Sequence, residues 1–287
     1  NQAEKEFESY FYKMKFLVCI LFLVLTACNS DKVELAFGTV LNNQEYVLEA
    51  NLDVLALAGE DSLEPESMQT KLKVFSTLTQ LEVYDDGSAR YEMQVDSVDY
   101  SSNKRSVEEL AYMEKYLQTQ NFQYKIASNG TMDTIFPMEN FVAVDGINEL
   151  EIPRLFAKIQ PVLPDHKVGV GDSWERHHSF NNKGSLTTVY KTFRVEDIFY
   201  HDGLKLAKLN LGVRYKQLEE DASIKLESTD FLVGKGTMLF DLVNGQVYSI
   251  HLEFTGNLNV ADKLNNAQVP ELKMHQVLKL ERRGDHG

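Results

Sequence analysis

The stretch VYSIHLEFTGNL, residues 247–258, alternates apolar and polar side chains. Tyr248, Ile250, Leu252, Phe254 and Leu258 share one parity; Ser249, His251, Glu253, Thr255 and Asn257 share the other. Successive side chains of a strand point to opposite faces, so this is a strand with one apolar face and one wet face. AKLNLGVRY repeats the pattern, with Leu209, Leu211, Val213 and Tyr215 against Lys208, Asn210 and Arg214. ARYEMQV does so through Ala89, Tyr91, Met93 and Val95. From about Phe37 onward this period of two dominates the chain.

Asp86-Gly87, Asn129-Gly130, Asp202-Gly203 and Asn244-Gly245 each separate two such runs, and Lys183-Gly184 is a weaker fifth. These pairs tolerate the positive φ angles of two-residue hairpin loops. The expectation is mainly β: a long curved antiparallel meander of roughly ten strands, a half-open barrel with two helices against its concave face. The first helix opens on Ser106 with Glu109 three residues on, a capping box. It presents Val107, Leu110, Ala111, Met113 and Leu117 as one stripe and ends near Asn121. The second runs from about Asn148 to Gln160, with Leu155, Phe156 and Ile159 inward, Pro153 in its first turn, and Pro161 and Pro164 beyond its end. The forms NGTMDTI (129–135) and NGQVYSI (244–250) echo each other, as two weakly duplicated halves would. No Pro-, Gly- or Ser-rich linker divides residues 37–287, which read as a single β-rich domain.

The other end of the chain speaks of location. Met14 and Lys15 precede an unbroken apolar run, Phe16 to Leu25, and then Thr26, Ala27 and Cys28. Charge, length and small-residue exit make 14–27 a signal peptide, too short to span a bilayer. Residues 1–13 do not suit an export signal and are expected to be an over-extended start; residues 28–36 form a polar tether. LTAC resembles the lipobox of bacterial lipoproteins. That resemblance implies a diacylglycerol thioether on Cys28, cleavage before it, and an acylated amino terminus. The membrane partner is then the bilayer, reached through acyl chains on Cys28. Asn29 and Ser30 do not resemble the aspartate associated with inner-membrane retention in enteric bacteria, which favours the outer membrane, on its periplasmic face or at the cell surface.

The 287-residue chain carries a net charge of −14. Loss of residues 1–27 leaves that unchanged, because Lys5, Lys13 and Lys15 go together with Glu4, Glu6 and Glu8. Such an acidic body argues against nucleic acid as a partner. Cys19 lies inside the apolar run, so no disulfide is expected to hold the fold. Motifs for chemistry are absent: no HExxH, no GxSxG elbow, no GxxxxGK[ST] loop. His177 and His178 are adjacent and would face opposite sides of a strand. No metal, cofactor or catalytic residue is expected, and the reading is of a protein that is not an enzyme. Trp174, the single tryptophan, reads as a packing anchor at a strand start.

LPDHKVGVGDSWE (163–175) and GKGTMLFDLVNGQVYSI (234–250) resemble an uncharacterised bacterial lipoprotein family, domain of unknown function 6263. Leu163, Pro164, Val168, Gly171, Asp172 and Trp174 match its first turn; Gly234, Gly236, Phe240, Asp241 and Gly245 match its late hairpin. The resemblance implies an envelope location and this architecture, and no activity. More distantly, the expected sheet is similar to half-barrel periplasmic lipid and lipoprotein carriers. The functional expectation is a lipid-anchored envelope protein that holds an apolar ligand or acylated partner in its concave face. Tyr248, Ile250, Leu252 and Phe254 are the candidate lining residues. The other reading is a structural or interaction lipoprotein with a closed core.

Overall fold

The computed structural model describes residues 32–38, 43–56, 66–134, 152–182, 185–219, 230–259 and 271–283. Cys28, the 14–27 segment and the Lys183-Gly184 turn lie outside them. The chain forms β1 (Gln44–Ala56), β2 (Glu66–Val83), β3 (Ala89–Ser102), α1 (Val107–Leu117), β4 (Phe122–Ile126) and β5 (Met132–Thr134). It continues with α2 (Ile152–Ile159), β6 (Ser173–Asn182), β7 (Ser185–His201), β8 (Leu204–Glu219), β9 (Asp230–Asp241), β10 (Gln246–Asn259) and β11 (Glu271–Arg282).

The eleven described strands form one antiparallel sheet in the order β5-β4-β3-β2-β1-β11-β10-β9-β8-β7-β6. The fold is the expected mainly-β, open, curved sheet with two helices. It is two meanders welded along β1 and β11, in register from Tyr46 opposite Arg282 to Ala56 opposite Leu272. Register breaks at Phe75/Ser76, Gln80/Glu82, Val195/Asp197 and Val247/Ser249 are bulges, which bend strands and sharpen their twist. Long strands such as β2, with 18 residues, can therefore curve around a core. One hydrophobic cluster runs along the whole inner face, from Tyr46, Leu48 and Leu52 of β1 to Val189 and Phe193 of β7.

The turns divide in a way that dipeptides alone do not reveal. Asp202-Gly203 is a true two-residue loop, with φ of 48° and 80°. Gly87, Gly130 and Gly245 also have positive φ, but β2–β3, β4–β5 and β9–β10 are joined by longer loops. At the last of these, the Asp241 carboxylate organises residues 242–245. It accepts from the Val243 and Asn244 backbone amides at 3.0 and 3.1 Å and from the Asn244 side chain at 2.7 Å. A loop held by a side chain in this way no longer needs a two-residue geometry.

Helix α1 has its capping box: Ser106 Oγ accepts from the Glu109 amide, and the Glu109 carboxylate accepts from the Ser106 amide. Its inward side is narrower than expected. Met113 and Leu117 are buried and Leu110 packs partly, whereas Val107 and Ala111 are exposed. The reason is its seat. β4 pairs only with Ala89–Met93, leaving the rest of the β3 edge open. Glu114 accepts the Tyr100 amide at 3.1 Å and Asn121 accepts the Val95 amide at 2.9 Å, so α1 and its exit cover that edge with polar groups.

Residues 32–38, most of which the sequence assigns to the tether, are tied into the fold. Val33 and Val168 exchange backbone hydrogen bonds, Leu35 is buried, and the Phe37 and Gly38 amides donate to Ser128 and Gly245. Phe37 meets Phe240 edge-on at 5.5 Å.

Two glycines have opposite surroundings. A Cβ at Gly87 would touch nothing within 4 Å, while one at Gly245 would collide with the backbone of Gly38. Gly87→Val should cost about 1–2 kcal/mol for the left-handed backbone alone. Gly245→Val adds overpacking and should cost about 1–3 kcal/mol more. Urea unfolding of the two variants beside the wild type measures the difference, and equal losses would contradict this close approach.

Candidate functional site

With β1 and β11 at the centre of the sheet, β5 and β6 are its two edges. Between them in the sequence stands α2, which packs on the inner face. Pro153 occupies the first turn of α2, where a missing N–H costs nothing. Leu155, Phe156 and Ile159 are buried, as expected, and so is Ile152. Phe156 packs on Phe122 of β4 at 5.7 Å. Lys158 donates to Gln276 of β11 at 3.2 Å, and its ammonium lies 5.8 Å from the Phe254 ring of β10.

The far end of α2 is held by Lys191 of β7. Its Nζ donates to the carbonyls of Ala157 at 3.2 Å and Gln160 at 2.8 Å. The last carbonyls of a helix lack internal donors and carry partial negative charge, so a cation there both caps and neutralises. Lys191 is only 6% exposed. Burial pulls its ammonium down from 10.5 to about 8. Beyond the helix, Trp174 donates to the Val162 carbonyl at 2.8 Å and stacks on Phe193 at 5.1 Å, the anchoring role its position suggested. The turn before it is closed by Asp172, which accepts from the Gly169 amide at 3.0 Å.

Between α2 and the sheet lies a cavity lined by Phe37, Tyr46, Leu78, Tyr91, Met93, Tyr124, Ile126, Phe156, Ile159, Gln160, Gln246, Val247 and Leu280. The volume open to the centre of a water molecule is about 40 Å³. Burial raises the Tyr91 phenol to about 12 and pushes those of Tyr46 and Tyr124 up as well, so all three remain neutral. Tyr46 donates within reach of Gln44 Oε1 and the Val247 carbonyl, and Tyr91 donates to the Gly38 carbonyl. Gln246 is 4% exposed, and among the described residues its Oε1 and Nε2, like Gln160 Nε2, have no hydrogen-bond partner.

The four residues singled out on β10 sit elsewhere. Ile250, Leu252 and Phe254 are buried in the packed core. The Phe254 ring rests on Gly234, where a Cβ would strike it, and meets Tyr215 edge-on at 6.4 Å. Tyr248 is half-buried beneath the Arg282 guanidinium, 5.2 Å from its ring centre. Arg282 in turn pairs at 3.1 Å with Asp241, which is fully buried. Burial pushes the Asp241 carboxyl up, but Asn244, the Val243 amide and Arg282 together hold it below its ordinary value. None of the four β10 residues lines the cavity under α2.

Sequence reasoning passed over Gln246, Lys191 and Gln276. A signal was there for two of them: Lys191 and Gln276 occupy the apolar parity of their strands, beside Val189 and Phe193, and Met274 and Leu278 respectively, whereas the bulge at Val247/Ser249 takes Gln246 off the parity of Ile250. A polar side chain on the buried parity needs a partner or a purpose.

His177 and His178 lie on opposite faces, beside Tyr190 and Val189. Burial, then the Lys191 and His177 charges, lower His178. Among the described residues no group of three His, Cys, Asp or Glu side chains could hold a metal ion, and no helix is long and apolar enough to cross a membrane.

No family model and no curated protein matches the chain. Among solved structures it is similar to DynF from the dynemicin biosynthesis pathway of Micromonospora chersina. That match has 7% identity over 88% of this chain and 86% of the other, with a TM-score of 0.20. A likeness that slight carries no functional argument.

The Lys191 clamp has a pH signature. Its folded value, near 8, lies below the 10.5 of an exposed lysine. Between these values the unfolded chain binds more protons than the folded one, so stability rises with pH. Urea unfolding should show this gain from pH 8 to 9, before the unfolded tyrosines, ordinarily near 10, begin to ionise and pull stability the other way. Lys191→Met should remove the rise; an unchanged slope in that variant would refute the assignment.

Proposed function

We propose that the protein is a membrane-anchored cell-envelope lipoprotein, attached through acyl chains on Cys28. Its β body binds the apolar part of a small ligand or acylated partner against the concave sheet face. The body projects from an outer-membrane leaflet, and no reaction is assigned to it. The resemblance to domain of unknown function 6263 fits this location.

The observation that supports binding is the cavity beneath α2, walled by apolar side chains and neutral tyrosines. Its size sets the terms. At about 40 Å³ it has room for roughly three water centres. In this conformation it encloses the end of a slim ligand rather than a whole acyl chain. A second reading, a closed-core structural or interaction lipoprotein, is favoured by the burial of Ile250, Leu252 and Phe254. Fully burying each such side chain is worth about 1.5–3 kcal/mol, so that part of the face is committed to packing.

Two measurements test the proposal. Cys28→Ser should abolish labelling by a clickable fatty acid and release the protein from the membrane fraction, while Cys19→Ser should leave both intact. Unchanged partition of Cys28→Ser would overturn the anchor. Mass spectrometry of an organic extract of the protein purified in a lipid-free detergent should find a stoichiometric small apolar molecule. An empty protein that binds no neutral apolar probe would favour the closed core.

A further inference from the structure

Neighbouring strands alternate in direction, so the β2–β3, β7–β8 and β9–β10 connections all fall at one end of the sheet. The turn before β6 lies at the same end, where the Gly171 amide donates to the Val195 carbonyl. Eight large hydrophobic side chains are exposed among the described residues, and five of them belong to this end. They are Leu81 and Val83 on β2, Val170 before β6, Tyr200 on β7 and Val243 between β9 and β10. Tyr200 and Val243 are the most open of the five, at 75% and 71%. Apolar side chains exposed singly are ordinary, but their gathering at one end of a molecule calls for a partner.

The chain enters the body at that end. Val33 and Val168 exchange backbone hydrogen bonds, Lys32 pairs with Asp172 at 3.4 Å, and the Gly38 amide donates to Gly245. Asn29, Ser30 and Asp31 alone separate Cys28 from Lys32. Four residue steps reach about 14 Å at most, even fully extended. β2 alone, with 18 residues, is about 60 Å long. On so short a lead the body either stands on this end or lies on its side. Its outer side is polar, with Glu49, Lys73 and Glu253 paired across strands, whereas the end carries the exposed apolar groups.

We infer that this end of the sheet rests on the lipid leaflet, with Val170, Tyr200 and Val243 entering the headgroup layer. The inference rests on the Cys28 anchor proposed above and adds an orientation to it. A tyrosine suits the interface, since its ring is apolar and its hydroxyl can stay wet. Lys32, Lys167 and Lys205 stand among Asp85, Asp165 and Asp202, so this end has no excess of base to draw anionic lipid. The contact is with a zwitterionic surface. It is shallow, because the carboxylates of Asp85, Asp86 and Asp202 at the turns resist leaving water.

In the processed lipoprotein the Cys28 thiol is blocked, so an introduced cysteine can be labelled alone. Tyr200→Cys and Val243→Cys place a label at this end, on side chains whose exposure spares the packing. Val107→Cys is the control: it is 77% exposed at the start of α1, which follows the opposite end of β3. Each variant would carry a nitrobenzoxadiazole dye and be reconstituted, with its lipid, into phosphatidylcholine vesicles containing doxyl-labelled lipid. The dyes at 200 and 243 should shift to the blue and lose intensity to the doxyl groups, while the dye at 107 should emit as in water. Mass spectrometry of the same samples reads the lipid on Cys28. With that lipid present, labels at 200 and 243 no more quenched than the one at 107 would overturn the orientation and leave the anchor standing. A Cys28 without lipid would overturn the anchor and the orientation together.

Discussion

The pairing of β1 with β11 governs the architecture. Because the first and last strands meet at the centre of the sheet, the two edges belong to the middle of the chain. α2 stands between those two edges in the sequence. The outer face is polar, with Glu49, Lys73, Glu253, His275 and Lys279 among its exposed or half-exposed side chains. The inner face is apolar and needs a cover. α2 is therefore drawn into the concavity, and its position fixes what can be enclosed there.

α2 makes its contacts through two different physical means. Its apolar side packs by area, through Leu155, Phe156 and Ile159. Its exit is held by charge, through Lys191 on the terminal carbonyls. Packing by area is tolerant of small shifts, while a hydrogen-bonded cation in a dry site is not. The exit of the helix is thus the more sharply defined end, and it is the end that carries Gln160 into the cavity wall.

Much of this was legible in the sequence. The alternation in 247–258 gives the strand and its inner face, and the Ser106–Glu109 box gives a helix start, because both are local and periodic. What was not legible is set by distant chain. The loop at Asn244-Gly245 depends on Asp241, and on a backbone contact with Gly38 some two hundred residues earlier. The stripe on α1 is narrow because an exposed length of β3 edge, and not the core, decides its orientation. The cavity escaped notice for a related reason. A filled core and a lined recess share one apolar parity, which the alternation alone does not distinguish.

The central weld also sets an order of events. β1 precedes every other described strand, yet its partner β11 follows them all, so β1 presents an open edge until residues 271–282 are available. Contacts of such long sequence separation form late, and an unpaired strand edge invites a neighbouring chain to supply the missing one. Each meander can build its own hairpins locally, but neither can close the sheet. This topology delays final closure of the sheet until residues 271–282 are in place. It also makes exchange of the β6–β11 half between two copies the characteristic way for assembly to go wrong.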